Sequence, residues 1–342
     1  MDEFKILRDL VGFNTINDKE NVKIINYIEK FLKNYGFKTE YKTKCLIMSI
    51  GKNQKLGFLG HTDTVEYIEE FKNPFDLTIK NDLLYGLGVC DMKGSIAAIL
   101  DVVSKIDFKK LKSGMKLYFT FDEEIGFEGI KELVDKKEKF PELMIFGEPT
   151  DNKMYTGHKG LLEYKIEFKG IKCHSSNPEK GISANLNAVN FIYELQKFYN
   201  KKIKTYNNSL YEIPYTTMNV GIIKGGSAIN SIPAYNEVYI DFRVANKNHI
   251  EKIQKKIEEL AIKYNAKVNI LNLIKSFIDK VSVVGEPKTL NFMTEAAFID
   301  NSKRIILGLG PVTAHEVNEH ISIDSYKTLV KQYEDLIYKV LT

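Results

Sequence analysis

Residues 56–65 read LGFLGHTDTV, and the reading of this stretch decides how the rest of the chain is understood. Leu56, Phe58 and Leu59 form an apolar run that predicts a buried strand, and Gly60 is expected to let the backbone turn just ahead of His61 and Asp63. Side chains two apart in extended chain share a face. An imidazole and a carboxylate therefore converge at the end of a strand, where they suit either a structural hydrogen bond or a metal ion. The pair alone leaves both readings open.

Composition narrows the setting. The chain has 342 residues, 44% hydrophobic and 27% charged, which allows a sizeable core in one large or two ordinary domains. The net charge of +4 comes from scattered lysines nearly balanced by acids, a solvated surface with no nucleic-acid footprint. No apolar stretch approaches the ~18 residues that cross a bilayer, so no membrane partner is expected. The opening MDEFKILRDL lacks the apolar region of a secretory signal. Cys45, Cys90 and Cys173 are too few and too odd in number for a disulfide framework, and a reducing, cytoplasmic setting is expected.

Along the chain, Ile25, Ile28, Leu32 and Tyr35 fall at helical spacing over 20–35, with Gly36 as the stop. Strands are expected at 44–50, 56–60, 115–121 and 142–147, and helices at 94–106 and 126–137. Strands alternating with helices predict an α/β layer with a mixed, mostly parallel sheet and helices on both faces. From residue 161 the rhythm changes to strand, helix (181–199), two strands, helix (248–264), strand. That order is the βαββαβ of a small open-faced sheet. An inserted α+β lid or dimerisation domain is therefore expected over 158–272, between catalytic-domain segments 1–157 and 273–342. The last segment supplies a short strand and a long terminal helix.

Potential ligands end predicted strands or open loops at four further places: Asp91 in GVCDMKG, Glu123 and Glu124 in FDEEIG, Glu148 in FGEPT, and His315 in GPVTAHEVNEHI. In an open α/β sheet the ligand crevice lies beyond the carboxyl ends of the strands, where His61, Asp91, Glu124, Glu148 and His315 would all fall. Two imidazoles and three carboxylates suit a pair of zinc-like ions with one carboxylate shared. That many anions close together would repel one another without cations.

GHTDTV, CDMKG, DEEIG, GEPT and a late Ala-His pair, in that order, resemble the co-catalytic metallohydrolases that include acetylornithine deacetylase, succinyl-diaminopimelate desuccinylase, aminoacylase and glutamate carboxypeptidase. The likeness spans nearly the whole chain. It implies two divalent ions, zinc or in its place cobalt, one on His61, Asp91 and Glu148 and the other on Asp91, Glu124 and His315. It implies that Asp63 orients His61 and that Glu123, left unligated, is the general base. GIKCHSSNPEKGISAN resembles the segment whose histidine, here His174, stabilises the oxyanion and is often supplied by the partner subunit of a homodimer. GGSAINSIPAYNEVYIDFRV resembles the segment that meets a substrate carboxylate, which here implies Asn230 and Arg243, the latter suited by its planar fork.

FMTEAAF and EPTDNKMYTGHKG look most like acetylornithine deacetylase. The expected reaction is thus removal of the acyl group from an N-acyl amino acid, N-acetylornithine first, with Glu295 near the substrate favouring a side-chain cation. A dipeptide, succinyl-diaminopimelate or a carrier-attached lysine are the alternatives within the family, and an inactive metal-binding scaffold is the alternative outside it. Two departures, Val312 and Val317, fall in the loop that carries His315 but touch no ligand position.

Overall fold

The computed structural model describes residues 3–67 and 69–342. The chain divides into two compact units, one of residues 3–156, 279–287 and 294–342 and one of residues 157–278 and 288–293. The second unit thus runs six residues past the expected end at 272 and takes in a later segment. The physical reason is a small sheet in which Phe277–Ile278 pairs antiparallel, and Thr289–Leu290 parallel, with Gly157–His158.

The first unit is built on a six-stranded sheet with the spatial order Lys38–Tyr41, Cys45–Ile50, Gly114–Thr120, Gln54–His61, Leu143–Phe146, Lys303–Ile306. The last three pairings are parallel and the first two antiparallel, so the sheet is mixed. The antiparallel edge arises because Lys38–Tyr41, a mostly exposed strand that the apolar pattern does not mark, folds back on Cys45–Ile50. Its parallel strands are apolar along most of their length because both faces are covered. Helix Lys93–Lys105 packs on strand Gln54–His61 and on the terminal helix Ile323–Leu341, whose Tyr333 meets Phe58 edge to face at 5.5 Å. Ser322 caps that terminal helix by accepting from the Ser325 amide.

Two local expectations change. The helix expected over 126–137 is shorter, Glu128–Asp135, and Phe127 at φ +61°, a left-handed conformation that interrupts helical hydrogen bonding, separates it from a preceding turn, Glu123–Gly126. Gly60 makes no turn and lies inside its strand. A side chain there would meet those of Ile96 and Met92 at 3.0 Å, so helix and strand pack closely at this glycine.

The second unit is an antiparallel sheet ordered Thr217–Gly225, Tyr235–Val244, Gly160–Lys169, Ala266–Ile274, with helices Ala184–Phe198 and Asn248–Lys263. Leu162, Tyr164, Ile166 and Phe168 alternate inward and join Val238, Ile240 and Phe242 in a core with both helices. This is the βαββαβ order.

Gly308 follows the edge strand Lys303–Ile306, and a side chain there would sit 2.2 Å from the Glu148 carbonyl oxygen and 2.5 Å from that of Gly147. Gly308→Ala is expected to destabilise the first unit by about 1–3 kcal/mol through overpacking. The check is a lowered urea midpoint by circular dichroism.

Candidate metal centre

Strands Gln54–His61, Gly114–Thr120 and Leu143–Phe146 run parallel, and their register pairs His61 with Thr120 and Leu59 with Phe146. Their carboxyl ends are therefore level. His61 closes the first, Glu123 and Glu124 follow the second, and Glu148 follows the third. Asp122 stands at φ +67° between strand and helix, which turns the chain sharply enough to deliver both glutamates. Asp91 stands just ahead of helix Lys93–Lys105 and is joined to Met92 by a cis peptide bond. His315, at φ +64°, comes from the loop before the last helix.

One oxygen of Asp91 lies 3.1 Å from His61 Nε2 and the other 3.5 Å from His315 Nε2. His315 Nε2 is also 3.2 Å from Glu124 Oε1. Two sets, His61, Asp91, Glu148 and Asp91, Glu124, His315, each bring one ligand atom per residue within 4.8 Å of one another. Ligands about 2.0–2.1 Å from a tetrahedral ion are about 3.3 Å apart, close to the 3.1, 3.5 and 3.2 Å that separate His61 from Asp91, Asp91 from His315 and His315 from Glu124. The donor chemistry and spacing fit two divalent ions sharing Asp91.

His61 is fully buried. Its Nδ1–H donates to the main-chain carbonyl of Asp63 at 3.1 Å, which turns Nε2 toward Asp91. The Asp63 carboxylate stands 3.6 Å from Nδ1, and its other oxygen accepts from the Glu124 amide at 3.1 Å. Asp63 thus meets both the His61 imidazole and the backbone of Glu124.

Electrostatics agree with the geometry. Burial pushes the Glu123 carboxyl well up against the pull of His61, and the charges of Glu148, Glu124 and Glu295 add to it. Burial first, then Asp91, does the same to Glu148. Burial would raise Asp91 too, but the two imidazoles overrule it and pull its carboxyl below the usual range. Hydrogen bonds to Asp91 and Glu124 lift His315 to about 10. Burial opposes the charged form of His61, yet Asp63 and Asp91 raise it well above an ordinary imidazole. Five carboxylates against two imidazoles leave an excess of buried negative charge that cations relieve.

Glu123 belongs to a third grouping with His61 and Glu124 but to neither three-residue set above. Glu295 is 1% exposed; its Oε2 accepts from the Thr120 hydroxyl at 3.2 Å, its Oε1 has no hydrogen-bond partner among the described residues, and its charge bears on Glu123 and Glu148. Burial pushes its carboxyl up to about 7. His174, Asn230 and Arg243 lie in the second unit. His174 is exposed, and the amide of the next residue, Ser175, donates to the Asn230 carbonyl at 3.0 Å. Arg243 lies on strand Tyr235–Val244, where its Nη2 is 2.9 Å from Asp241. The sequence reading passed over Glu319, a buried acid whose carboxylate accepts from the amides of Gly88, Cys90 and Asp91. Its only sequence signal is a charge next to the strand residues His320 and Ile321.

The peptidase dimerisation domain family matches residues 156–269. The chain is 33% identical to the acetylornithine deacetylase of Buchnera aphidicola subsp. Schizaphis graminum, over 97% of this chain and 90% of that one. Its fold is similar to that of aminopeptidase PepT from Bacillus cereus (TM-score 0.81, 18% identity, 97% and 96% of the two chains covered). It is also similar to the YXEP protein of Bacillus subtilis, described as a dinuclear metal-binding peptidase of the M20 family (TM-score 0.73, 13% identity, 99% and 97% covered).

If Asp91 is shared, Asp91→Ala loses both ions and Glu148→Ala loses one, as read by elemental analysis of the dialysed proteins. Equal loss in the two variants would contradict the sharing.

Proposed function

The chain belongs to the M20 family of metal-dependent amide hydrolases that contains acetylornithine deacetylase, and on that premise we propose that it removes the acetyl group from N-acetylornithine. The observation that supports the chemistry is Asp91 standing between two imidazoles, with Glu123 close to His61 and Glu124. The likeness to acetylornithine deacetylase over nearly the full chain supports the substrate.

Two divalent ions, zinc or cobalt, held by His61, Asp91 and Glu148 and by Asp91, Glu124 and His315, would polarise the amide carbonyl and acidify a water molecule. Glu123 takes the proton of that water and afterwards hands it to the leaving amine. The environment that raises its pKa suits a group that must hold a proton between two steps. Asp63 keeps the Nε2 of His61 turned to the site. His174 supplies a donor toward the developing oxyanion, a contact of the kind worth about 3 kcal/mol. Asn230 and Arg243 meet the substrate carboxylate, for which Arg243 exchanges its Asp241 partner.

The enzyme acts as a cytoplasmic homodimer joined through the inserted unit. The match of that unit to a dimerisation domain supports this, as do Leu186, Val189 and Tyr193, which lie exposed at helical spacing on Ala184–Phe198.

Ornithine release from N-acetylornithine, with and without added zinc or cobalt, is expected to exceed turnover of succinyl-diaminopimelate and of a dipeptide. A preference for either of the latter overturns the substrate assignment. Glu123→Gln is expected to abolish turnover with metal content near wild type; loss of metal would make Glu123 a ligand. Val189→Asp is expected to sediment as a monomer where the wild type sediments as a dimer.

A further inference from the structure

Glu319 is 2% exposed and lies four residues after His315. Its Oε1 accepts from the amides of Cys90 at 2.7 Å and Asp91 at 2.9 Å, and its Oε2 accepts from that of Gly88 at 2.7 Å. Gly88 stands at φ +82°, a left-handed conformation that favours glycine. Three amides of one short loop thus converge on a single carboxylate, the arrangement of a backbone anion nest whose anion is a side chain of the protein. The Nζ of the nearby buried Lys93 donates a hydrogen bond to the Phe13 carbonyl at 2.8 Å.

The two segments so joined each carry part of the metal centre. One leads into Asp91; the other, residues 310–321, carries His315. Further contacts tie the second segment to the first around Glu319. The Gly86 amide donates to the Glu319 carbonyl at 3.3 Å, Cys90 Sγ lies 3.5 Å from the Pro311 carbonyl oxygen, and strand His320–Ser322 pairs with Leu83–Tyr85. Within the segment, Thr313 closes the loop on His320 through hydrogen bonds of 2.6 and 2.9 Å. His315, by contrast, is half exposed and sits in the middle of this loop. Its reach to Asp91 is therefore set by how the loop is anchored.

We infer that Glu319 is a positioning residue that fixes the spacing between Asp91 and His315 by clamping the amides that lead into Asp91. The inference rests on the reading of Asp91 and His315 as metal ligands. Its logic is that a carboxylate with three charge-assisted hydrogen bonds from one loop leaves that loop little freedom, and that a shared ligand tolerates little displacement. Glu319→Gln keeps the size of the side chain but offers a single acceptor oxygen, so one amide of the loop must face an NH2 group.

The test titrates metal-free wild type, Glu319→Gln and Glu319→Ala with Co2+ alone, read by calorimetry and by the visible absorption of the bound ion, alongside thermal unfolding of each metal-free protein. Wild type is expected to take up two ions. Glu319→Gln is expected to bind one or both roughly tenfold more weakly, with altered absorption and metal-free melting near that of wild type, and Glu319→Ala up to roughly a hundredfold more weakly. If Glu319→Ala does not fold, Glu319→Gln decides the matter. Binding and absorption equal to wild type overturn the inference. So does a loss of binding in Glu319→Gln matched by a fall in its metal-free melting, because that marks a general stabiliser. Failure of wild type itself to take up two ions sinks the metal reading, and is thereby distinguished from a failure of Glu319 alone.

Discussion

A single carboxylate facing two imidazoles is the constraint on which the first unit depends. Asp91 presents one oxygen to His61 and the other to His315, and each imidazole reaches it from a different part of the chain. Buried charge of one sign is costly unless it is paired or coordinated. Glu123, Glu124, Glu148 and Asp63 add four more acids to the same volume. The surplus is tolerable only where cations are expected, which is why the arrangement reads as a centre for metal ions and not as a network of salt bridges.

The backbone around the centre is organised to hold these groups. The parallel strands end level, so that His61, the Glu123–Glu124 pair and Glu148 arrive on one edge. Positive φ at Asp122 and His315 spends local conformational freedom to aim side chains, as functional sites often do. Close packing does the rest: Gly60 lets helix Lys93–Lys105 approach its strand, and that helix begins two residues after Asp91.

The second unit follows a different physical plan. Its sheet buries alternate residues against two helices and leaves the other face, with Glu163, Lys165, Glu167 and Glu237, to water and to one another's charges. Apolar residues lie exposed on helix Ala184–Phe198 and on the outer strands, Ile222 and Ile223 on one and Ile270 and Leu271 on the other.

Periodicity in the sequence located most of the strands and helices, because burial of apolar side chains is a local pattern with a fixed period. It also pointed to one end of the sheet as the meeting place of the candidate ligands, because acids and histidines that follow apolar strands have a known address in a sheet of this kind. It missed the exposed strand Lys38–Tyr41, which carries no apolar signal, and ran the helix at 126–137 through Phe127, whose left-handed conformation is set by its surroundings. Contacts with distant parts of the chain were likewise illegible. Glu319 meets amides some 230 positions away, and Glu295 accepts from the Thr120 hydroxyl. The sequence by itself determined which side chains are available and on which elements they lie. Only the tertiary structure decided which oxygen faces which nitrogen and which acids are enclosed, since these depend on contacts between segments that no local pattern records.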